Sequence, residues 1–317
     1  MKDQFDREIT YLRVSVTDRC NLRCRYCMPP EGVCKLDHSD VLRYEEIVEI
    51  VAAAAELGIT KVRVTGGEPL VRPGVTGLCA RIAALSGIRE VSLTTNGILL
   101  DRHAGELKDA GVRRVNVSLD TLDPDKYRSI TGGGDLEMAL AGLRAAERAG
   151  LHPLKLNTVL IGGFNDDEIE NFVALTRDRD LQLRFIELMP LGPGADFGPE
   201  AYLSGDTVLE RVPELRPVAG DGGVARLYQL PGGRGKVGLI APVNRHFCPS
   251  CNRLRLTSEG HLKPCLHSSR EIPLRGLHGS ELKEAIREAV RQKPSAHGDL
   301  TAGHLSEAGR SMNTIGG

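Results

Sequence analysis

Residues 10–27 read TYLRVSVTDRCNLRCRYC. Leu12, Val14 and Val16 alternate with Arg13, Ser15 and Thr17, the two-residue period of a strand with one apolar and one polar face. The strand expected over 10–17 runs directly into Cys20, Cys24 and Cys27. The same alternation recurs downstream. Lys61, Arg63 and Thr65 oppose Val62 and Val64, while Ser92, Thr94 and Asn96 oppose Val91 and Leu93. Asn116, Ser118 and Asp120 oppose Val115 and Val117, and Lys155 and Asn157 oppose Leu154 and Leu156. A parallel sheet covered on both faces reads as nearly continuous apolar runs. One polar face instead implies a ring of strands with helices outside and a wet lumen.

Strands are expected over 10–17, 60–65, 90–95, 113–119, 154–160 and 181–188. Helical periodicity fills 44–57, 74–85, 100–109, 136–149 and 166–178 between them. A strand–helix repeat of about 30 residues makes a parallel sheet, and a closed eight-fold barrel needs about 250 residues. Residues 1–190 therefore predict an α/β fold, an incomplete (βα)6 TIM-type barrel. Arg13, Lys61, Arg63 and Lys155 point into its lumen, an arrangement suited to a phosphate chain. Arg184 is a further candidate, although the sixth strand does not alternate cleanly.

Composition changes after Met189. A Gly- and Pro-rich connection spans 192–205, a short helix is expected near 206–212, and 224–230 pairs with 236–241 as a hairpin. With a helix at 280–292 and a polar tail, residues 191–317 read as a smaller C-terminal α+β module. A net charge of −1 gives no bulk attraction to nucleic acid or anionic membrane. The charged N-terminus lacks an apolar signal region, and no apolar run approaches the ~20 residues of a membrane span. These features predict a soluble, cytoplasmic protein.

Of the eight cysteines, Cys34 and Cys79 read as small buried hydrophobes and the other six form two groups of three. Such grouping favours metal ligation over disulfides in a reducing compartment. Three thiolates spaced CxxxCxxC can hold three irons of a 4Fe–4S cube and leave the fourth open. A zinc site would need a fourth ligand, for which His38 is nearest. The second group, Cys248, Cys251 and Cys265, fits either another three-cysteine cluster or a Cys₃His zinc site using His246, His261 or His267. Arg253-Leu254-Arg255 lies between its ligands, a place suited to anion recognition.

CxxxCxxC with Tyr26 before its last cysteine resembles the signature of the radical S-adenosylmethionine (SAM) superfamily, and Gly66-Gly67-Glu68-Pro69 is similar to that superfamily's GGEP segment. FCxxCNRxRLTxxG, the later Cys265 and a terminal Gly-Gly resemble the GTP 3′,8-cyclase family of molybdenum cofactor biosynthesis, over nearly the whole chain. The resemblance implies two 4Fe–4S clusters, on Cys20, Cys24, Cys27 and on Cys248, Cys251, Cys265, with SAM at one opening of the barrel and GTP at the other. It places SAM contacts on Tyr26, Gly67, Ser118 and Met189. It places GTP contacts on Arg13, Arg63, Thr94, Lys155, Arg253, Leu254 and Arg255, and brings Gly316 and Gly317 into the active site. The implied activity is hydrogen removal from C3′ of GTP followed by bond formation to guanine C8. An external electron donor, a homodimer and a functional link to cyclic pyranopterin monophosphate synthase are implied as well. Arg43 departs from the family by standing where a Ser or Thr often caps the first helix.

Another two-cluster radical SAM enzyme, for example a peptide-modifying one, is the alternative. A non-catalytic iron–sulfur carrier would leave the polar lumen unexplained.

Overall fold

The computed structural model describes residues 1–29, 31–32, 36–220, 222–300 and 305–316; Cys34 and Gly317 lie outside them. Six strand–helix units come first. Their strands are β1 (Tyr11–Ser15), β2 (Lys61–Thr65), β3 (Glu90–Thr95), β4 (Val112–Ser118), β5 (Leu154–Leu160) and β6 (Leu181–Glu187). The helices are α1 (Tyr44–Glu56), α2 (Val75–Ala83), α3 (Leu100–Asp109), α4 (Pro124–Thr131), α5 (Leu136–Arg148) and α6 (Ile169–Asp178). Five of these follow the sequence expectation. α4 does not, although Asp123 caps it by accepting from the amides of Asp125 and Lys126, with Pro124 at its first position. At α1, the Arg43 amide donates to Glu46 Oε2 at 2.7 Å, so the helix start is tied without a Ser or Thr.

The later chain adds α7 (Thr207–Arg211), β7 (Arg216–Pro217), β8 (Arg226–Gln229), β9 (Lys236–Ile240), β10 (Arg253–Leu256), β11 (His261–Lys263), β12 (Ile272–Pro273) and α8 (Gly279–Arg291). The twelve strands among the described residues form one sheet, ordered β12-β11-β10-β1-β2-β3-β4-β5-β6-β9-β8-β7. The hairpin of β8 and β9 is antiparallel as expected, but β9 also runs parallel to β6. At the other edge β10 runs parallel to β1, with Arg13 opposite Arg255 and Leu12 opposite Leu254. The later chain therefore widens the same incomplete barrel at both edges.

Alternation divides the sheet as the sequence implies. Leu12, Val14, Val62, Val64, Leu93, Val115, Leu156 and Leu183 pack against the helices with Ile47, Val51, Leu78 and Phe172 in one apolar cluster. β6 alternates too: Leu183 and Phe185 face that core, whereas Arg184 and Ile186 line the lumen. Its pattern is hard to read because one inward residue is itself apolar. No helix among the described residues is long and apolar enough to cross a membrane.

Candidate active site

One cavity of about 380 Å³ runs through the lumen, and all six grouped cysteines line it. None of the six is in a disulfide. At one end the loop after β1 carries Cys20, Cys24 and Cys27. Cys20 Sγ accepts from the Leu22 amide at 3.3 Å and from Asn96 Nδ2 at 3.9 Å, contacts that suit a thiolate. Burial pushes the Cys27 thiol up to about 12 and Cys24 well above its ordinary value. Bound iron would supply the positive charge needed to keep such buried sulfurs deprotonated.

The Gly-Gly-Glu turn after β2 is stitched to that loop. The Gly67 amide donates to the Thr17 carbonyl at 2.8 Å and the Glu68 amide to the Arg19 carbonyl at 2.9 Å. A side chain at Gly67 would run into the Arg19 carbonyl and into the Asp18 oxygen 2.8 Å from an added Cβ, so only glycine permits this approach. Glu68 is buried and accepts from the amides of Leu70 and Asn96 and from Thr95 Oγ1. Burial raises it to about 7 despite those donors. It is therefore a staple joining the ends of β2 and β3, outside the lining of the cavity. Tyr26 donates its hydroxyl to Asp120 Oδ2 at 2.7 Å, and Val159 donates its amide to Asp120 Oδ1 at 2.9 Å. Burial lifts Asp120 to about 6.

At the other end stand Cys248, Cys251 and Cys265. Burial would raise Cys251, but Lys293 and Arg253 outweigh it and hold this thiol below its ordinary value. Lys293 Nζ donates to the carbonyls of Arg253 at 2.9 Å and Pro264 at 2.7 Å, tying β10 to the Cys265 segment. Arg7 donates to the carbonyls of Cys248, Ser295 and Pro294 at 2.9, 3.0 and 2.6 Å. Burial, together with His297, Arg255 and His246, holds His267 down to about 3, so its ring is neutral.

Between the two ends the wall is basic: Arg13, Lys61, Arg63, Arg114, Lys155, Arg184, Arg253 and Arg255 all line it. Burial and mutual repulsion lower Arg13 and Arg63, and hold Arg255 at about 10. Arg114 has an acid partner, Glu90, at 2.6 Å. Several buried polar atoms here lack a hydrogen-bond partner among the described residues: Tyr11 OH, Thr94 Oγ1, both amide atoms of Asn116, Asn157 Oδ1 and Arg253 Nε. Buried polar atoms are normally satisfied, so this grouping marks a surface shaped for a polar anionic ligand.

The structure thus brings nearly all the expected site residues to one cavity, including Tyr26, Gly67, Ser118, Met189, Arg13, Arg63, Thr94, Lys155, Arg253 and Arg255. Leu254 differs. It pairs with Leu12 and its side chain lies in the core, outside the cavity lining. Gly316 reaches the lumen: Arg255 Nη1 donates to its carbonyl at 2.7 Å, its φ is 69°, and a Cβ added there would run into Thr65 Oγ1. The Asn313 amide hydrogen-bonds the Cys27 sulfur, so the tail touches the first triad as well. His38 lies outside this cavity lining. Sequence reasoning missed Tyr11, Arg114, Lys293 and His297. Alternation back from Asn116 identifies Arg114, whereas Lys293 and His297 sit in an irregular segment with no periodic signal.

The Radical SAM superfamily matches this chain over residues 14–176, and the Molybdenum Cofactor Synthesis C family matches over 181–299. A GTP 3′,8-cyclase of Alkaliphilus oremlandii is 51% identical over 321 residues, covering 100% of both chains. One of Peptoclostridium acidaminophilum is 51% identical over 99% of this chain and 98% of its own. One of Moorella thermoacetica is 48% identical over 100% of both. Among solved structures, Streptococcus suis SuiB bound to its precursor peptide SuiA superposes with a TM-score of 0.61 at 12% identity, over 91% of this chain and 66% of that one. That likeness concerns the fold alone.

Proposed function

This chain belongs to the GTP 3′,8-cyclase family of radical SAM enzymes, and from that premise we propose how its residues carry the reaction. It is a lyase that converts GTP to (8S)-3′,8-cyclo-7,8-dihydroguanosine 5′-triphosphate, the first step of molybdenum cofactor biosynthesis, using two 4Fe–4S clusters and SAM. When bound, SAM and the first cluster on Cys20, Cys24 and Cys27 would supply radical chemistry for hydrogen abstraction at C3′ of GTP, and the second cluster on Cys248, Cys251 and Cys265 would supply an electron.

Cys20, Cys24 and Cys27 hold the first cluster and Cys248, Cys251 and Cys265 the second. Tyr26, Gly67, Ser118 and Met189 hold SAM; the Tyr26–Asp120 bond fixes the ring that closes this end. Arg13, Arg63, Lys155, Arg253 and Arg255 bind the triphosphate, a task that planar and point cations share. Thr94, Asn116 and Asn157 offer their unpartnered polar atoms to the ribose and base. Gly316, held by Arg255, closes over the substrate. Preorganised charge in a water-poor lumen orients GTP without reorganisation during the reaction. The carrying observation is a basic lumen with unsatisfied polar atoms between two cysteine triads.

We assign residues 1–190 to radical generation and 191–317 to the second cluster and GTP, a division supported by the two matched families. The reading extends to an external electron donor, a homodimer, a functional link to cyclic pyranopterin monophosphate synthase and a cytoplasmic setting. Six cavity-lining thiols outside disulfides support a reducing compartment. Anaerobic incubation of the reconstituted chain with SAM, reductant and GTP tests the function. Expected are 5′-deoxyadenosine and a GTP isomer of unchanged mass. Deoxyadenosine formed only with a peptide would contradict it.

A further inference from the structure

Beside the second triad the described residues form a tighter group. A ring nitrogen of His246, Sγ of Cys248 and a ring nitrogen of His297 all lie within 4.8 Å of one another. Among the described residues neither cysteine triad is drawn in that closely. The spacing carries chemical information. In an iron–sulfur cube each cysteine binds a different iron, so the sulfurs stand well apart. Around one tetrahedral ion with bonds of about 2.0–2.3 Å, donor atoms sit about 3.3–3.8 Å from one another. His246, Cys248 and His297 are within small adjustments of that second geometry.

Three further observations favour a built site. His297 Nδ1 lies 2.7 Å from the Gly298 carbonyl oxygen. Only a ring N–H makes that bond, so the neutral ring keeps its lone pair on Nε2, the arrangement in which a backbone carbonyl orients a metal-binding histidine. The rings of His246 and His297 are packed 4.4 Å apart, and His267 packs on His297 at 4.6 Å. Arg7 clamps the Cys248 carbonyl and the Pro294 and Ser295 carbonyls together, which fixes the cysteine against the segment that carries His297. His246 is exposed, which gives an ion access from solvent.

We propose that His246, Cys248 and His297 bind a single zinc-type divalent ion, in a site that excludes the second iron–sulfur cluster because both need Cys248. One thiolate and two neutral imidazoles, with water as fourth ligand, suit a borderline divalent ion. The binding step is ligation with loss of the Cys248 thiol proton to solvent; no electron moves. Zinc held there keeps Cys248 from iron, so the chain retains its first cluster while the second does not assemble. Only this competition rests on the proposed two-cluster function.

The test is an anaerobic cobalt(II) titration of the full-length, cluster-free chain carrying Cys20→Ser, Cys24→Ser and Cys27→Ser. Expected is one tetrahedral cobalt with a single-thiolate charge-transfer band. Adding Cys251→Ser and Cys265→Ser should leave that band in place. Adding His246→Ala and His297→Ala instead should weaken binding at least tenfold, with a melting curve confirming that the variant is folded. A band that follows Cys251 and Cys265 and ignores the histidines overturns the proposal, as does absence of bound cobalt. In the otherwise wild-type chain, zinc added before reconstitution should reduce the iron to one cluster. His246→Ala with His297→Ala should restore two; continued loss there also overturns it. GTP cyclisation by the holoenzyme is read separately, so failure of the functional reading leaves the cobalt result standing.

Discussion

Arg255 is charged, buried and crowded by its own kind. It is 6% exposed, its strand position is opposite Arg13, and burial, then Arg253, holds its pKa at about 10 against an ordinary 12.5. A base held low favours its neutral form in the folded state. Below pH 10 the folded chain therefore carries a penalty, relieved only as pH rises above 10 toward the ordinary arginine value. A displacement of that size corresponds to about 3 kcal/mol. Arg255→Met keeps much of the volume and removes the charge. It also leaves the Gly316 carbonyl without its donor, costing about 1–3 kcal/mol. The two effects nearly cancel, so the ligand-free variant should melt at or slightly above the parent temperature. GTP binding should respond in the opposite sense. Losing a hydrogen bond from a charged donor to the triphosphate costs about 1.5–3 kcal/mol, a weakening of about 10- to 150-fold. Thermal melting of ligand-free protein and equilibrium GTP binding to anaerobic, cluster-loaded protein read the two halves. A variant several kcal/mol less stable with unchanged GTP affinity would refute the reasoning, because Arg255 would then be a structural strut.

Gly67→Ala drives a methyl into the Arg19 carbonyl, so SAM cleavage and iron in the first triad should fall while the second triad keeps its iron. Iron analysis and 5′-deoxyadenosine assay measure this. Asp120 is raised from 3.8 to about 6, so its contribution to stability is complete below 3.8 and lost as pH rises through 6. Asp120→Asn should therefore melt higher than the parent at pH 7.5, and the gap should narrow by pH 5 and close only below 3.8; a pH-independent gap contradicts the assignment. Arg310 donates to both oxygens of Glu271 at 2.7 and 2.8 Å and to Glu259 at 2.6 Å, just before the tail enters the lumen. Arg310→Gln should lower turnover more than GTP affinity, and equal losses in both would show that it does not act through the tail.

Much of this site was legible because alternation and cysteine spacing are local. Val14 and Arg13 declare opposite faces of β1 without any knowledge of their neighbours. Arg113 and Arg114 stand in succession, and only alternation carried back from Asn116 tells that Arg114 is the inward one. The pairing of β10 with β1 and of β9 with β6 joins segments distant in sequence, and no short-range pattern encodes it. The same pairing turns Leu254 into the core between two inward arginines. Lys293 and His297 come to the second triad through the Arg7 clamp, a contact across nearly the whole chain.

The central claim is that this lumen directs the SAM-derived radical to one hydrogen of GTP. GTP carrying deuterium at C3′, incubated anaerobically with the reconstituted chain, SAM and reductant, tests that claim directly by mass spectrometry of the 5′-deoxyadenosine formed. One deuterium is expected in the deoxyadenosine, with its loss from the cyclised product. Unlabelled deoxyadenosine, formed at the same rate without GTP, would contradict it.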